Sequence, residues 1–320
     1  MADVPPPFAP EGPFFRWMSQ NRIFLWIRKV LRAIHPWQDK STNVYDVARF
    51  FVLGLMNGSV ATRSAYISFN LFVAFFPAMI LLLSIIPYTS LETAEVIASL
   101  EQFFPQQAIQ LFHSVVADLI DQQQGTLLSV GVVLLLYYAS NSVNAILVGF
   151  GQSAHVAGQP RNWLVFRLLS VGLLLALSIL FVAATFLIGY AGSVIQWADG
   201  NGWLEGVNIP MIKVSRWILS FGLIYFAVTI LYNVGNFNSK RWSWWSVGAT
   251  ATTALFIFVT FTFSWFIDQF ASYNSLYGSL ATLLVTLLWL NSNSSILLLG
   301  YELNASIQRA RKDGGTEKNN

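Results

Sequence analysis

YGSLATLLVTLLWLNSNSSILLLGYELNA, residues Tyr277 to Ala305, is apolar at both ends and carries Asn291, Ser292, Asn293, Ser294 and Ser295 in its middle. At about 1.5 Å of rise per residue, one helix over this stretch reaches roughly 40 Å, enough to cross a hydrocarbon layer about 30 Å thick. Read as a membrane span, it sets a problem for the rest of the chain. Five consecutive hydrogen-bonding side chains near the midplane cannot all face lipid tails, so most of them must turn toward other helices or a wet cavity.

Working outward, the composition agrees with a span. The 320 residues are 55% hydrophobic and 10% charged, with 26 Phe and 12 Trp, and the mean hydropathy is +0.56. Such a chain reads as an all-α polytopic membrane protein. It has no Cys, so disulfides, thiolate nucleophiles and cysteine metal sites are excluded. Its start, MADVPPPFAPEGP, lacks the pattern of a cleavable signal, and the first spans are expected to target it.

Six spans are expected: Ser64 to Tyr88, Thr126 to Phe150, Trp163 to Ala191, Met211 to Gly235, Trp244 to Phe270, and Tyr277 to Ala305. Residues 1–13 read as a disordered lead, because five prolines block helix and sheet. Phe14 to Trp37 interleaves aromatic residues with Arg and Lys, and Phe24, Ile27, Leu31 and Ile34 keep a helical period. It reads as an interfacial helix whose cations meet anionic lipid headgroups, or as a cytoplasmic helix packed on the bundle. Val44 to Arg63 is expected to be an amphipathic helix leading into the first span, where Pro77 is expected to kink the helix. Thr89 to Gly125, with Glu92, Glu95, Glu101, Asp118 and Asp121 and no Lys or Arg, reads as a helical extracytoplasmic loop. The domain plan is therefore 1–43 as lead and interfacial helix, 44–306 as the six-span domain, and 307–320 as a polar cytoplasmic tail.

With six spans, 16 of the 18 Lys and Arg residues fall on one side of the membrane. By the positive-inside rule that side is cytoplasmic, and it holds both termini. Lys213 and Arg216 are left on the other side, at the same end as Asp268, so an Arg216–Asp268 ion pair is expected.

Phe270 to Leu290 followed by Ile296 to Ala305 resembles the signature of the YihY/BrkB family of bacterial inner-membrane proteins. Ala65, Tyr66 and Phe76-Pro77 in the first span, the acidic connection after it, and Leu231-Tyr232 are similar to that family too. The resemblance covers roughly residues 44–306. Where the family commonly has Pro-Asn shortly after the Leu-Tyr, this chain has Gly235-Asn236. The resemblance implies six spans with cytoplasmic termini, in the bacterial inner membrane. Members have been labelled ribonuclease BN, but metal-dependent RNA hydrolysis needs clustered His and carboxylate ligands. His35, His113 and His155 are scattered, and neither a Ser-His-Asp set nor a Gly-rich phosphate loop is recognisable. The chain is thus read as a non-enzyme without metal, cofactor or nucleic-acid partner.

The polar residues inside the spans carry the functional reading. Tyr137, Asn141 and Asn144 share one helix face, as do Asn291, Ser295 and Glu302 on the last span. Together with Asn293 they are read as lining a polar path between the second and sixth spans, for a lipid-like or amphiphilic substrate. The opposing reading makes them packing contacts, each worth roughly 0.6 to 2 kcal/mol, in a non-transporting envelope scaffold that binds partners. SNSVNAILVGF from Ser140 echoes NSNSSILLLGY from Asn291, and transporters often place sites where repeats meet. A homo-oligomer is compatible with either reading.

Overall fold

The structure, a computed structural model, describes residues 22–33, 43–57, 59–85, 125–153, 163–189, 201, 209–236, 242–270 and 274–316. Among them lie the helices α1 (Arg22–Ala33), α2 (Val44–Asn57), α3 (Val60–Ile85), α4 (Gly125–Gly151), α5 (Trp163–Gly189), α6 (Ile209–Gly235), α7 (Val247–Phe270) and α8 (Asn274–Thr316), and no strand. The lead 1–13 and most of the connection Thr89 to Gly125 lie outside the described residues, so their expected forms are not addressed.

The long helices close a ring in chain order. α3 packs on α4, α4 on α5, α5 on α6, α6 on α7, α7 on α8, and α8 returns to α3. Helices consecutive in the chain pack side by side, α7 on α8 across a short turn and α3 on α4 across a long connection. Arg63, Gly151, Trp163, Gly235, Val247 and Glu302 mark one end of the ring, called here the Arg63 end.

Two boundaries differ from the sequence expectation. The helix expected from Val44 to Arg63 breaks after Asn57, and Ser59 adopts a left-handed φ of 47°. An Asn-Gly-Ser run tolerates that conformation better than most, and the break moves Arg63 into the first turn of α3. α8 runs through 43 residues to Thr316 rather than stopping at Ala305. Its continuation is covered by α2, with Val47, Ile307 and Ala310 buried together against Phe50 and Leu303. α2 starts at a capping residue, Asn43, whose Oδ1 accepts from the Asp46 N–H at 2.9 Å.

Among the described residues, five helical stretches are long and apolar enough to cross a membrane: Ser129–Gly151, Trp163–Ala184, Trp217–Gly235, Val247–Phe266 and Leu283–Lys312. The remaining ring helix, α3, carries Thr62, Arg63, Ser64, Ser68 and Asn70 in its first half and an apolar run from Leu71 to Ile85 in its second. Pro77 lies inside α3, which continues past it. Among the described residues the buried core lies near the Arg63 end, where Ile67, Leu147, Phe150, Leu231, Tyr232, Leu298 and Tyr301 are buried. Farther along, Val133, Ile179, Phe181, Phe258 and Phe261 stand exposed on the outside, as side chains that meet lipid do.

Glycine permits close packing in that core. A Cβ on Gly300 would run into the hydroxyls of Thr252 and Tyr232, one on Gly248 into the Gly300 carbonyl, and one on Gly235 into the Phe150 ring. Close backbone approach between small residues is a main source of helix association in lipid. Gly300→Ala should therefore destabilise the fold by about 1–3 kcal/mol in detergent unfolding, the usual range for overpacking. Gly222→Ala, where a Cβ meets nothing within 4 Å, should leave the transition in place.

The absence of Cys permits a direct count of crossings by single introduced cysteines. If all six ring helices cross, an impermeant thiol reagent treats Gln38→Cys and Asn319→Cys alike and Gln123→Cys oppositely. Opposite labelling of positions 38 and 319 would mean five crossings.

Candidate functional site

Three side-chain groups stand out along the ring. At its end, Arg63 and Glu302 form an ion pair, Nη2 to Oε1 at 2.6 Å, with the side chains 3% and 0% exposed. The remaining capacity of both groups is largely used. Arg63 Nη1 donates to the Gly149 carbonyl at 2.7 Å, and Ser153 Oγ donates to Glu302 Oε2 at 2.8 Å. Gly149 lies in the last turn of α4, where carbonyls lack helical partners and the helix dipole is negative, so a guanidinium is well matched there. One cluster thus joins α3, α8 and the end of α4.

Against this cluster sits an aromatic core. Phe150 stacks on Tyr301, with centroids 4.2 Å apart and planes at 8°, and Tyr232 meets both edge-on. The two echoed segments of the sequence therefore meet, since Phe150 and Tyr301 close them. Tyr232 Oη donates to the Leu297 carbonyl at 2.7 Å and lies 2.6 Å from Thr252 Oγ1. Tyr301 Oη donates to the Gly235 carbonyl at 2.9 Å. Asn304 Oδ1 accepts from the Gly248 N–H at 2.8 Å, serving an otherwise unpaired donor at the start of α7.

The second group is marked by missing partners. Thr229 Oγ1, Asn291 Oδ1 and Ser294 Oγ are buried without a hydrogen bond. The Tyr232–Leu297 and Tyr301–Gly235 bonds join residues 65 and 66 positions apart and so fix the register of α6 against α8. The same offset puts Thr229 and Ser294 at one depth, a turn farther from the Arg63 end. Buried polar atoms are nearly always satisfied, and these oxygens, like Arg63 Nε, have no protein partner among the described residues.

The third group lies between α4 and α5. Arg167 Nη1 donates to Asn141 Oδ1 at 3.1 Å, and its guanidinium lies over the Tyr137 ring at 4.8 Å.

The seven residues expected to line a path do not form one group. Tyr137 and Asn141 join Arg167, Asn144 is half-buried on α4, and Glu302 is held by Arg63 and Ser153. On α8, Asn293 Nδ2 bonds the Trp289 carbonyl and Ser295 Oγ the Asn291 carbonyl, each within its own helix. Asn291 retains an unpartnered oxygen. α4 meets α8 directly at the Phe150–Tyr301 stack, while each of the two packs more extensively on α3. The sequence reading missed Arg63 as a partner, Thr229, Ser294 and Arg167. The signal for Arg63 and Arg167 was present, because a charge within an apolar helix requires a partner. The side chains of Arg216 and Asp268, and His35, His113 and His155, lie outside the described residues. Among the described residues no three His, Asp or Glu gather as a metal site.

With the geometry in view, the sequence matches the family described as Virulence factor BrkB over residues 51–320. The chain belongs to the BrkB family. Among similar proteins, the ribonuclease-like protein YfkH of Bacillus subtilis is 26% identical over 251 residues, 78% of this chain and 91% of that protein. A UPF0761 membrane protein of Histophilus somni (strain 129Pt) is 22% identical over 284 residues, 84% of this chain and 92% of its own. That of Mannheimia succiniciproducens is 31% identical over 148 residues, covering 45% and 48%. No solved structure matches. BrkB relatives are named as membrane proteins, and the ribonuclease wording belongs to YfkH.

In this BrkB-family chain, Glu302→Ala should lower unfolding stability by about 3–5 kcal/mol, because a buried guanidinium is left uncompensated. The Arg63→Met/Glu302→Leu double variant should regain most of that loss. Denaturant titration in micelles measures both, and equal losses in the single and double variants would mean the pair is not coupled.

Proposed function

We propose that this chain is a multi-pass carrier of the bacterial inner membrane for an amphiphilic, lipid-like substrate, with both termini cytoplasmic, and that it is not an enzyme. The observation that carries the reading is the set of buried, unpartnered oxygens of Thr229, Asn291 and Ser294 inside a ring of apolar helices. Packing contacts alone would leave such atoms bonded across helices, as Tyr232 and Tyr301 are. A passing polar group, or the water that precedes it, gives them partners.

The Arg63–Glu302–Ser153 cluster then acts as the closure of the cytoplasmic end. It joins three helices by polar contacts that can part and re-form. Sidedness is supported by the sorting of Lys and Arg and by the family resemblance. The exposed Trp26, with Lys29 and Arg32 on α1, fits contact with anionic headgroups at that surface.

Transport of short-chain fluorescent phospholipids across proteoliposome membranes tests the reading. The wild type should move label, and Asn291→Leu/Ser294→Ala should slow it by about tenfold, roughly 1.4 kcal/mol in the barrier, with the melting temperature held within a few degrees. A wild type inert toward phospholipid and single-chain amphiphiles alike would favour the scaffold reading.

A further inference from the structure

Arg167 is not used by the closure or by the aromatic core, and its surroundings are unusual for a cation. It lies in the second turn of α5, half-buried, and is flanked by exposed Trp163, Leu164 and Leu168. Its partners are Asn141 Oδ1 at 3.1 Å, the Tyr137 ring, and at 3.5 Å the Tyr137 carbonyl. All are neutral, and among the described residues the ion pair present is Arg63–Glu302, elsewhere in the ring. Asn141 and Tyr137 stand 10 and 14 residues back from the end of α4 at Gly151. They are thus roughly 15 and 21 Å from that end along the helix axis. Tyr137 is 51% exposed, and Val133 and Leu136 beside it are exposed too.

A guanidinium drawn to that depth, on a face of apolar side chains, has no described carboxylate to compensate its charge. Intramembrane cations ordinarily pair, or reach the interface. Here the side chain is held by an amide and a ring instead, which aims the planar fork without neutralising it. That fork matches the paired oxygens of a phosphate diester, and Arg is the residue best suited to such a bidentate contact. Exposed apolar side chains around it suit acyl chains.

We propose that Arg167, positioned by Asn141 and Tyr137, binds the anionic phosphate head group of an amphiphile that enters laterally from the lipid between α4 and α5. The site deepens the carrier reading by naming the charge of the substrate's head, although binding here does not require that transport occurs. Two sources share this chemistry, a cargo molecule and a resident lipid that stays with the protein.

The test uses the full-length protein and two probes, phosphatidylglycerol and diacylglycerol of equal chain length, scored by native mass spectrometry after gentle solubilisation. Wild type should retain phosphatidylglycerol about tenfold better than diacylglycerol, and Arg167→Gln should lose that preference while Arg311→Gln, on the exposed part of α8, keeps it. Arg167→Lys retains the charge without the fork and should bind about threefold more weakly than wild type, which keeps the test decisive if the Gln variant fails to fold. Unchanged preference in Arg167→Gln, unchanged binding in Arg167→Lys, or equal loss in Arg311→Gln overturns the site. Proteoliposome transport of labelled phosphatidylglycerol separates the sources: a fall in Arg167→Gln supports cargo, and unchanged transport with lost binding supports a resident lipid. If wild type transports nothing, the carrier reading fails and the binding result still decides the site.

Discussion

A guanidinium and a carboxylate that leave water together depend on each other for the rest of their environment, and here the Arg63 end of the ring is arranged around that dependence. Arg63 comes from the start of α3 and Glu302 from late in α8, and Gly149 and Ser153 complete their bonding from the end of α4. With both side chains essentially buried, desolvation opposes the pair, and only good geometry with further hydrogen bonds offsets it. The cluster therefore specifies which helices meet, and at what depth, more than it adds net stability. α3 must close on α8, and the ring follows.

Once that junction is set, the rest of the end is a problem of close approach. Lipid tails are as apolar as leucine, so burying another leucine between helices gains little over leaving it in lipid. What differs between packed and unpacked states is contact density and satisfied polar groups. Gly248 and Gly300 let α7 and α8 touch at the backbone, and Gly235 makes room for the Phe150 ring. Tyr232 and Tyr301 then fill the wider gap between α6 and α8 and deliver their hydroxyls to carbonyls on the opposite helix. Beyond them the spanning groups are smaller, and the hydroxyls of Thr229 and Ser294 are left without partners. The transition from filled to unsatisfied takes place within one helical turn of Tyr232 and Leu297.

Much of this was legible in the sequence. The five apolar stretches that the structure presents as long helices follow from local hydropathy, as does the all-helical class, because in lipid every backbone group has to be satisfied within its own segment. The last span was legible as the element with an internal polar load, and the aromatic-basic lead as a separate helix. The α2–α3 break was not, because a left-handed residue after Asn57-Gly58 leaves the hydrophobic period nearly unchanged on both sides. Nor was the extension of α8 to Thr316, since a polar helix beyond the membrane owes its order to α2 packing on Ile307 and Ala310.

The chain by itself thus determined that the fold is built of long apolar helical segments and which of them carry polar groups, since both depend on composition within one segment. Tertiary structure alone decided which polar groups meet. Arg63 and Glu302 are 239 positions apart, and Arg167 and Asn141 are 26 apart on adjacent helices. Those pairings depend on the rotation and depth of each helix, and lipid, to which every apolar face is equivalent, does not dictate either. Glycine contacts, tyrosine bridges and the demand of each buried charge for a partner do.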